Sequence, residues 1–198
     1  MKAVSDLPQG YIERERIDFK HNRKLFWILN SAAVLLLPCF GVSFLLIAVS
    51  LNPHLASSGS FESRGWSIVI GIVLLVLSCI VCMIVHELIH SLCFWLFTGS
   101  RPHFGFKWLY AYASAPNWYI PRGPFLFVGL APFVCLTLLG IALLPFVSAG
   151  ISLLLCCLLT AHTMGCVGDF YVVIRLLMAS SGLLIRDYGD GMAFYAHA

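Results

Sequence analysis

The stretch Gly71-Ile-Val-Leu-Leu-Val-Leu-Ser-Cys-Ile-Val-Cys-Met-Ile-Val85 runs without a charge into His86-Glu87-Leu88-Ile89-His90. The apolar run begins at Trp66 and continues to Thr98. It exceeds the ~20 residues that a helix needs to cross ~30 Å of hydrocarbon at 1.5 Å per residue. A carboxylate inside such a run costs ~2.5–3.5 kcal/mol on insertion scales. Glu87 is therefore expected there for a function.

The rest of the chain agrees with a membrane reading. Of 198 residues, 60% are hydrophobic and 11% charged, against roughly 25% charged in soluble domains. Mean hydropathy is +0.92. So few charges cannot cover a soluble domain of this size. The composition excludes a water-soluble globular enzyme, a disordered chain and a nucleic-acid binder, and the formal net charge is only +3. The 8 cysteines fall inside apolar runs and read as buried thiols rather than a disulfide scaffold.

Four apolar spans are expected, at about 26–51, 66–98, 125–148 and 151–179. Pro132 and Pro145 are expected to kink or break the third. Lys2, Arg14, Arg16, Lys20, Arg23 and Lys24 precede the first span, and Arg101, Lys107 and Arg122 lie between the second and third. The positive-inside bias puts both termini and the 99–124 loop on the cytoplasmic side. The expected architecture is an all-α membrane protein, one domain over 1–198. It is a four-span helix bundle with a cytoplasmic segment 1–25, a cytoplasmic tail 180–198 and a short cytoplasmic β-strand or hairpin between spans two and three. The strand signal is Phe104, Phe106, Trp108, Tyr110 and Tyr112 at period 2, which predicts one aromatic face. An aromatic belt at the membrane surface is the competing reading. The tail motif Arg186-Asp-Tyr-Gly-Asp-Gly191 reads as a solvated turn, with a lid or an alternative ligand as the other reading.

H-E-x-x-H on a helix projects two imidazoles, four residues apart, from one face, where they can share a metal ion, while the adjacent Glu reaches a water on that metal. Shuffling this composition produces the pattern in roughly 0.005 of chains. His86 and His90 are the candidate metal ligands and Glu87 the candidate general base. A catalytic zinc keeps three protein ligands and an open position. Asp169, the sole carboxylate of the fourth span, is the candidate third ligand. His162, close to two turns earlier, is the rival ligand or a hydrogen-bonding group. His86 lies as many residues past Ser67 as Asp169 lies past Gly150, so the two can stand level in parallel helices. An ion pair of Asp169 with Arg175 is the alternative, at a spacing poor for a helical salt bridge.

Through His86 to His90, Phe104-Gly-Phe-Lys107, Ala111-Tyr-Ala113, Leu130-Ala-Pro-Phe133, Gly165-Cys-Val-Gly-Asp169 and Asp187-Tyr-Gly-Asp-Gly191 the chain resembles a family of small bacterial integral-membrane zincin peptidases. More distantly it is similar to intramembrane metalloproteases of the site-2 protease type. The resemblance implies one zinc ion held by His86, His90 and Asp169, with Glu87 as base, in a bacterial plasma membrane. It differs from site-2 proteases at the third ligand, where Val167-Gly168-Asp169-Phe170 stands in place of their Asn-Pro-Asp-Gly-like sequence. The expected function is a zinc-dependent intramembrane endopeptidase acting on membrane or membrane-proximal peptides, with the 104–112 strand holding an extended substrate by backbone pairing. Two alternatives are a zinc amide hydrolase with a lipid or small-molecule substrate and a non-proteolytic metal-binding membrane protein, a sensor or partner-binding subunit. The expected partners are the bilayer and a peptide or membrane-protein substrate. Oligomeric state is not legible.

Overall fold

The computed structural model describes residues 2–19, 21–53, 55, 65–107 and 110–198, with side chains at all of these except 106, 107, 110 and 111. In chain order the elements are β1 (Tyr11–Asp18), α1 (Arg23–Leu51), α2 (Gly65–Thr98), β2 (His103–Lys107), β3 (Tyr110–Ser114), β4 (Ile120–Pro121) and α3 (Arg122–Leu143). A 3-10 turn (Leu144–Phe146), α4 (Ala149–Gly165), α5 (Val167–Leu177), β5 (Leu184–Asp187) and β6 (Gly191–His197) complete the chain.

The long helices begin and end on recognisable signals. Asn22 caps α1, its Oδ1 accepting the Leu25 N–H at 3.0 Å. Gly99, with φ +69, ends α2 in the left-handed conformation that a side chain resists. Among the described residues three helices are long and apolar enough to cross a membrane: Arg23–Leu51, Gly65–Thr98, and Arg122–Phe146 with the 3-10 turn included. The most apolar stretch of α2 has mean hydropathy 3.4, yet 0% of it is buried within the chain. An apolar surface of that length, not buried by the chain itself, is compatible with a lipid surrounding.

The chain divides into two compact units. The first comprises Met1–Asn30, Val85–Pro132 and Gly168–Ala198; the second comprises Ser31–Ile84 and Phe133–Val167. In the second unit Phe44, Ala48, Leu55, Leu144, Cys156 and Leu159 form the core. Asn52, fully buried, anchors it. Its Nδ2 lies 2.9 Å from the Leu144 carbonyl, 2.8 Å from that of Val147 and 2.7 Å from Ser152 Oγ. A buried amide is tolerated in apolar surroundings only when paired in this way.

The first unit is built on an antiparallel sheet of order β1-β6-β5-β4. Strand alternation gives it two faces. Ile17, Ile185, Met192 and Phe194 pack with Phe94, Phe125, Val128 and Leu176 from the helices. Leu184, Ala193 and Tyr195 pack with Tyr119 on the other face. Strand β1 meets β6 so closely that a Cβ on Gly191 would lie 2.3 Å from the Ile17 carbonyl oxygen, a distance only glycine permits.

Several expectations are corrected here. The fold is mostly helical but not all-α. Residues 11–18, expected in a plain polar segment, and residues 184–197, expected in a solvated tail, are partner strands of one sheet. Neither shows a strong period of its own, because charged β1 is held by distant β6. The fourth run is not one unbroken helix over 151–179. The run is broken at Cys166 into α4 and α5, where Gly165 and Gly168 weaken helical continuity. The third helix stops at Leu143 rather than reaching 148, and Pro145 lies in the 3-10 turn. Of the strand or hairpin expected between spans two and three the structure has the hairpin, and what it corrects is the single aromatic face. β2 pairs with β3, Phe104 opposite Ala113 and Gly105 opposite Tyr112. Phe104 and Tyr112 therefore lie on opposite faces, since reversing the chain between the arms breaks the period-2 alignment. Phe106 and Tyr110 lie on the two arms, and Trp108 is outside the described residues.

Candidate metal centre

All of the converging side chains belong to the first unit. The α-helical period of α2 brings His86 and His90 together one turn apart, with 3.1 Å between their Nε2 atoms. Near the start of α5, Asp169 Oδ2 lies 3.2 Å from His86 Nε2 and Oδ1 lies 3.6 Å from His90 Nε2. The three ligand atoms fall within 4.8 Å of one another. A tetrahedral ion with bonds of ~2.0–2.1 Å needs donors about 3.3 Å apart. The observed spacings bracket that value, and two imidazoles with a carboxylate are a donor set that zinc accepts. The residues present fit a divalent ion.

The surroundings orient these groups. His90 is buried, and its Nδ1 lies 3.1 Å from the Val128 carbonyl on α3. A carbonyl only accepts, so Nδ1 carries the ring proton and Nε2 presents its lone pair. Glu87, one residue past His86, has Oε2 2.9 Å from the Ala113 N–H of β3. That N–H points away from β2, toward the outer edge of a two-stranded sheet. The centre opens into a cavity of about 540 Å³ lined by Glu87, His90, Asp169, Tyr112, Val128 and Asp187, with phenylalanines 19, 26, 94 and 125 supplying apolar wall.

His162, the rival ligand or hydrogen-bonding group, is buried in α4 of the second unit with Nε2 3.5 Å from Cys166 Sγ, and both belong to a group able to hold a metal. Arg175 pairs with Glu15 of β1 rather than with Asp169.

Sequence reasoning missed the contributions of Ala113 and of the Val128 carbonyl and did not place Asp187 in the cavity wall. The first two act through backbone atoms, which no residue type announces. Asp187, expected in a solvated turn with a lid or an alternative ligand as the other reading, is half-buried at the end of β5, on the same strand face as Ile185. Burial pushes its carboxyl up to about 7, against the pull of the Gly189 N–H on Oδ1 at 2.7 Å and of His90. The Asp-x-Gly spacing between two apolar runs was the available hairpin signal.

Two imidazoles, a converging carboxylate and an adjacent glutamate define a candidate divalent-metal centre of the hydrolytic kind. The chain belongs to the family described as putative zincin peptidases, whose model matches residues 79–184. That family supports a metallopeptidase and implies zinc. No curated protein and no solved structure matches the chain significantly.

Proposed function

We propose that this protein is a zinc-dependent intramembrane endopeptidase of the site-2 protease type, a single membrane-embedded domain cleaving membrane or membrane-proximal peptides. The observation that carries the reading is the convergence of His86, His90 and Asp169 at 3.1 to 3.6 Å, with Glu87 beside them. Membership of a zincin family and three helices fit to cross a membrane add support.

In this reading His86, His90 and Asp169 hold zinc. When bound, zinc supplies Lewis acidity that activates water and polarises the scissile carbonyl. Glu87 accepts the proton of the attacking water and returns it to the departing amine. The apolar cavity wall excludes bulk water and suits a hydrophobic peptide. A transmembrane helix hides its carbonyls in hydrogen bonds, so a substrate must be unwound before cleavage. The outer edge of β3 offers N–H and C=O groups on which an extended peptide can pair. Because the Ala113 N–H already reaches Glu87, that edge brings a paired peptide beside the base. The bent pair α4 and α5 serves as a fourth, broken span, and the charge bias places both termini in the cytoplasm of a bacterial cell.

The test is Glu87→Gln in the purified full chain in detergent, with a fluorogenic apolar peptide as substrate. Turnover should fall by about a hundredfold or more, while zinc content by metal analysis stays at the wild-type level. Undiminished turnover in that variant removes Glu87 as the base and the mechanism with it.

A further inference from the structure

Pro132 lies inside α3, four residues after Val128. In an α-helix the N–H of residue i+4 donates to the carbonyl of residue i. Proline has no N–H, and its ring crowds that same carbonyl and tilts it outward. The Val128 carbonyl is thereby barred from its ordinary helical partner. It is this oxygen that lies 3.1 Å from His90 Nδ1. Val128 is 2% exposed and His90 9%, so water is poorly placed to replace either partner.

We propose that Pro132 is a positioning residue of the metal centre: by withholding its helical N–H it dedicates the Val128 carbonyl to His90, which locks the imidazole as the Nδ1–H tautomer and aims Nε2 at Asp169. This deepens the zinc reading above and rests on it. Outer partners of this kind fix ring orientation and raise ligand basicity. Any other residue at 132 donates a competing hydrogen bond to the oxygen and draws it back toward the helix axis.

A proline in a helix also has a plain structural effect, and the chain contains its own control. Pro38 lies inside α1 and frees the carbonyl of Val34 in the same way, at a residue 69% exposed. Pro38→Ala restores a helical hydrogen bond without touching His90.

The experiment compares the full-length wild type, Pro132→Ala and Pro38→Ala in detergent, each checked for helicity. Zn²⁺ affinity is read by competition with a fluorescent chelator. The His90 ring tautomer is read from imidazole ¹⁵N shifts in the metal-free protein. Pro132→Ala should weaken Zn²⁺ binding between about tenfold and a hundredfold and populate the Nε2–H tautomer. Pro38→Ala should leave both readouts at the wild-type value. Wild-type affinity with an undisturbed tautomer in Pro132→Ala overturns the proposal, as does equal weakening by Pro38→Ala. If Pro132→Ala fails to fold, Pro132→Gly restores the same N–H on a more permissive backbone and is read identically. A wild type that binds no Zn²⁺ defeats the metal reading, whereas the tautomer comparison still decides the role of Pro132.

Discussion

At the residue scale the centre is a matter of which atoms are left available. His90 has one nitrogen committed to the Val128 carbonyl, so the other is presented to Asp169. Asp169 reaches both histidines through different oxygens. A half-buried carboxylate needs partners, and the two imidazoles are the ones it has among the described residues. Asp169→Ala is expected to lower Zn²⁺ affinity by more than about a hundredfold, beyond the loss expected for an outer partner. Metal analysis after dialysis against a weak chelator checks this. Zinc held one per chain in that variant moves the third ligand elsewhere, with His162 next in line.

At the element scale the hairpin β2–β3 links a strand edge to the base. Ala113 opposes Phe104 in the register, and its N–H is given to Glu87 instead of to β2. Proline is tolerated at an outward edge position of a strand because no ladder bond is lost there. Ala113→Pro should therefore leave the hairpin and the zinc content in place, yet lower kcat by about tenfold as Glu87 loses the donor that orients it. Equal kcat in wild type and variant shows that the bond is incidental to turnover. The sheet β1-β6-β5-β4 matters at this scale too, because it delivers Asp187 to the cavity wall and turns Arg186 the other way, toward the Pro116 carbonyl and the Tyr119 hydroxyl.

At the scale of the whole molecule, exposed apolar side chains dominate. Trp66, Leu35 and Val34 are among the most exposed large residues, which is unsustainable in water over so many positions. Lys and Arg cluster before α1 and between α2 and α3. In the proposed reading α1, α2, α3 and the bent pair are the spans, and the charge bias then predicts both ends in the cytoplasm. Fusions of a green fluorescent protein to either end should be fluorescent in bacteria, and alkaline phosphatase fusions at the same ends inactive. Phosphatase activity at either terminus reverses the orientation or changes the number of crossings.

The sequence alone determined the membrane-like class, the three long helices and the grouping of His86, Glu87 and His90. Each is a local property. Hydropathy sums over one window, and a spacing of four closes one helical turn. Asp169 could be named as a candidate because it is the lone carboxylate of its run, but its distance from His86 is set by packing. The same holds for the pairing of β1 with β6 and for the faces of the hairpin. It holds also for the meeting of the Val128 carbonyl with His90. These depend on segments far apart in the chain, and on backbone atoms that are the same in every residue, so no local period records them. Tertiary structure decided them, because burying the apolar sheet face and satisfying each buried polar atom leaves few arrangements open.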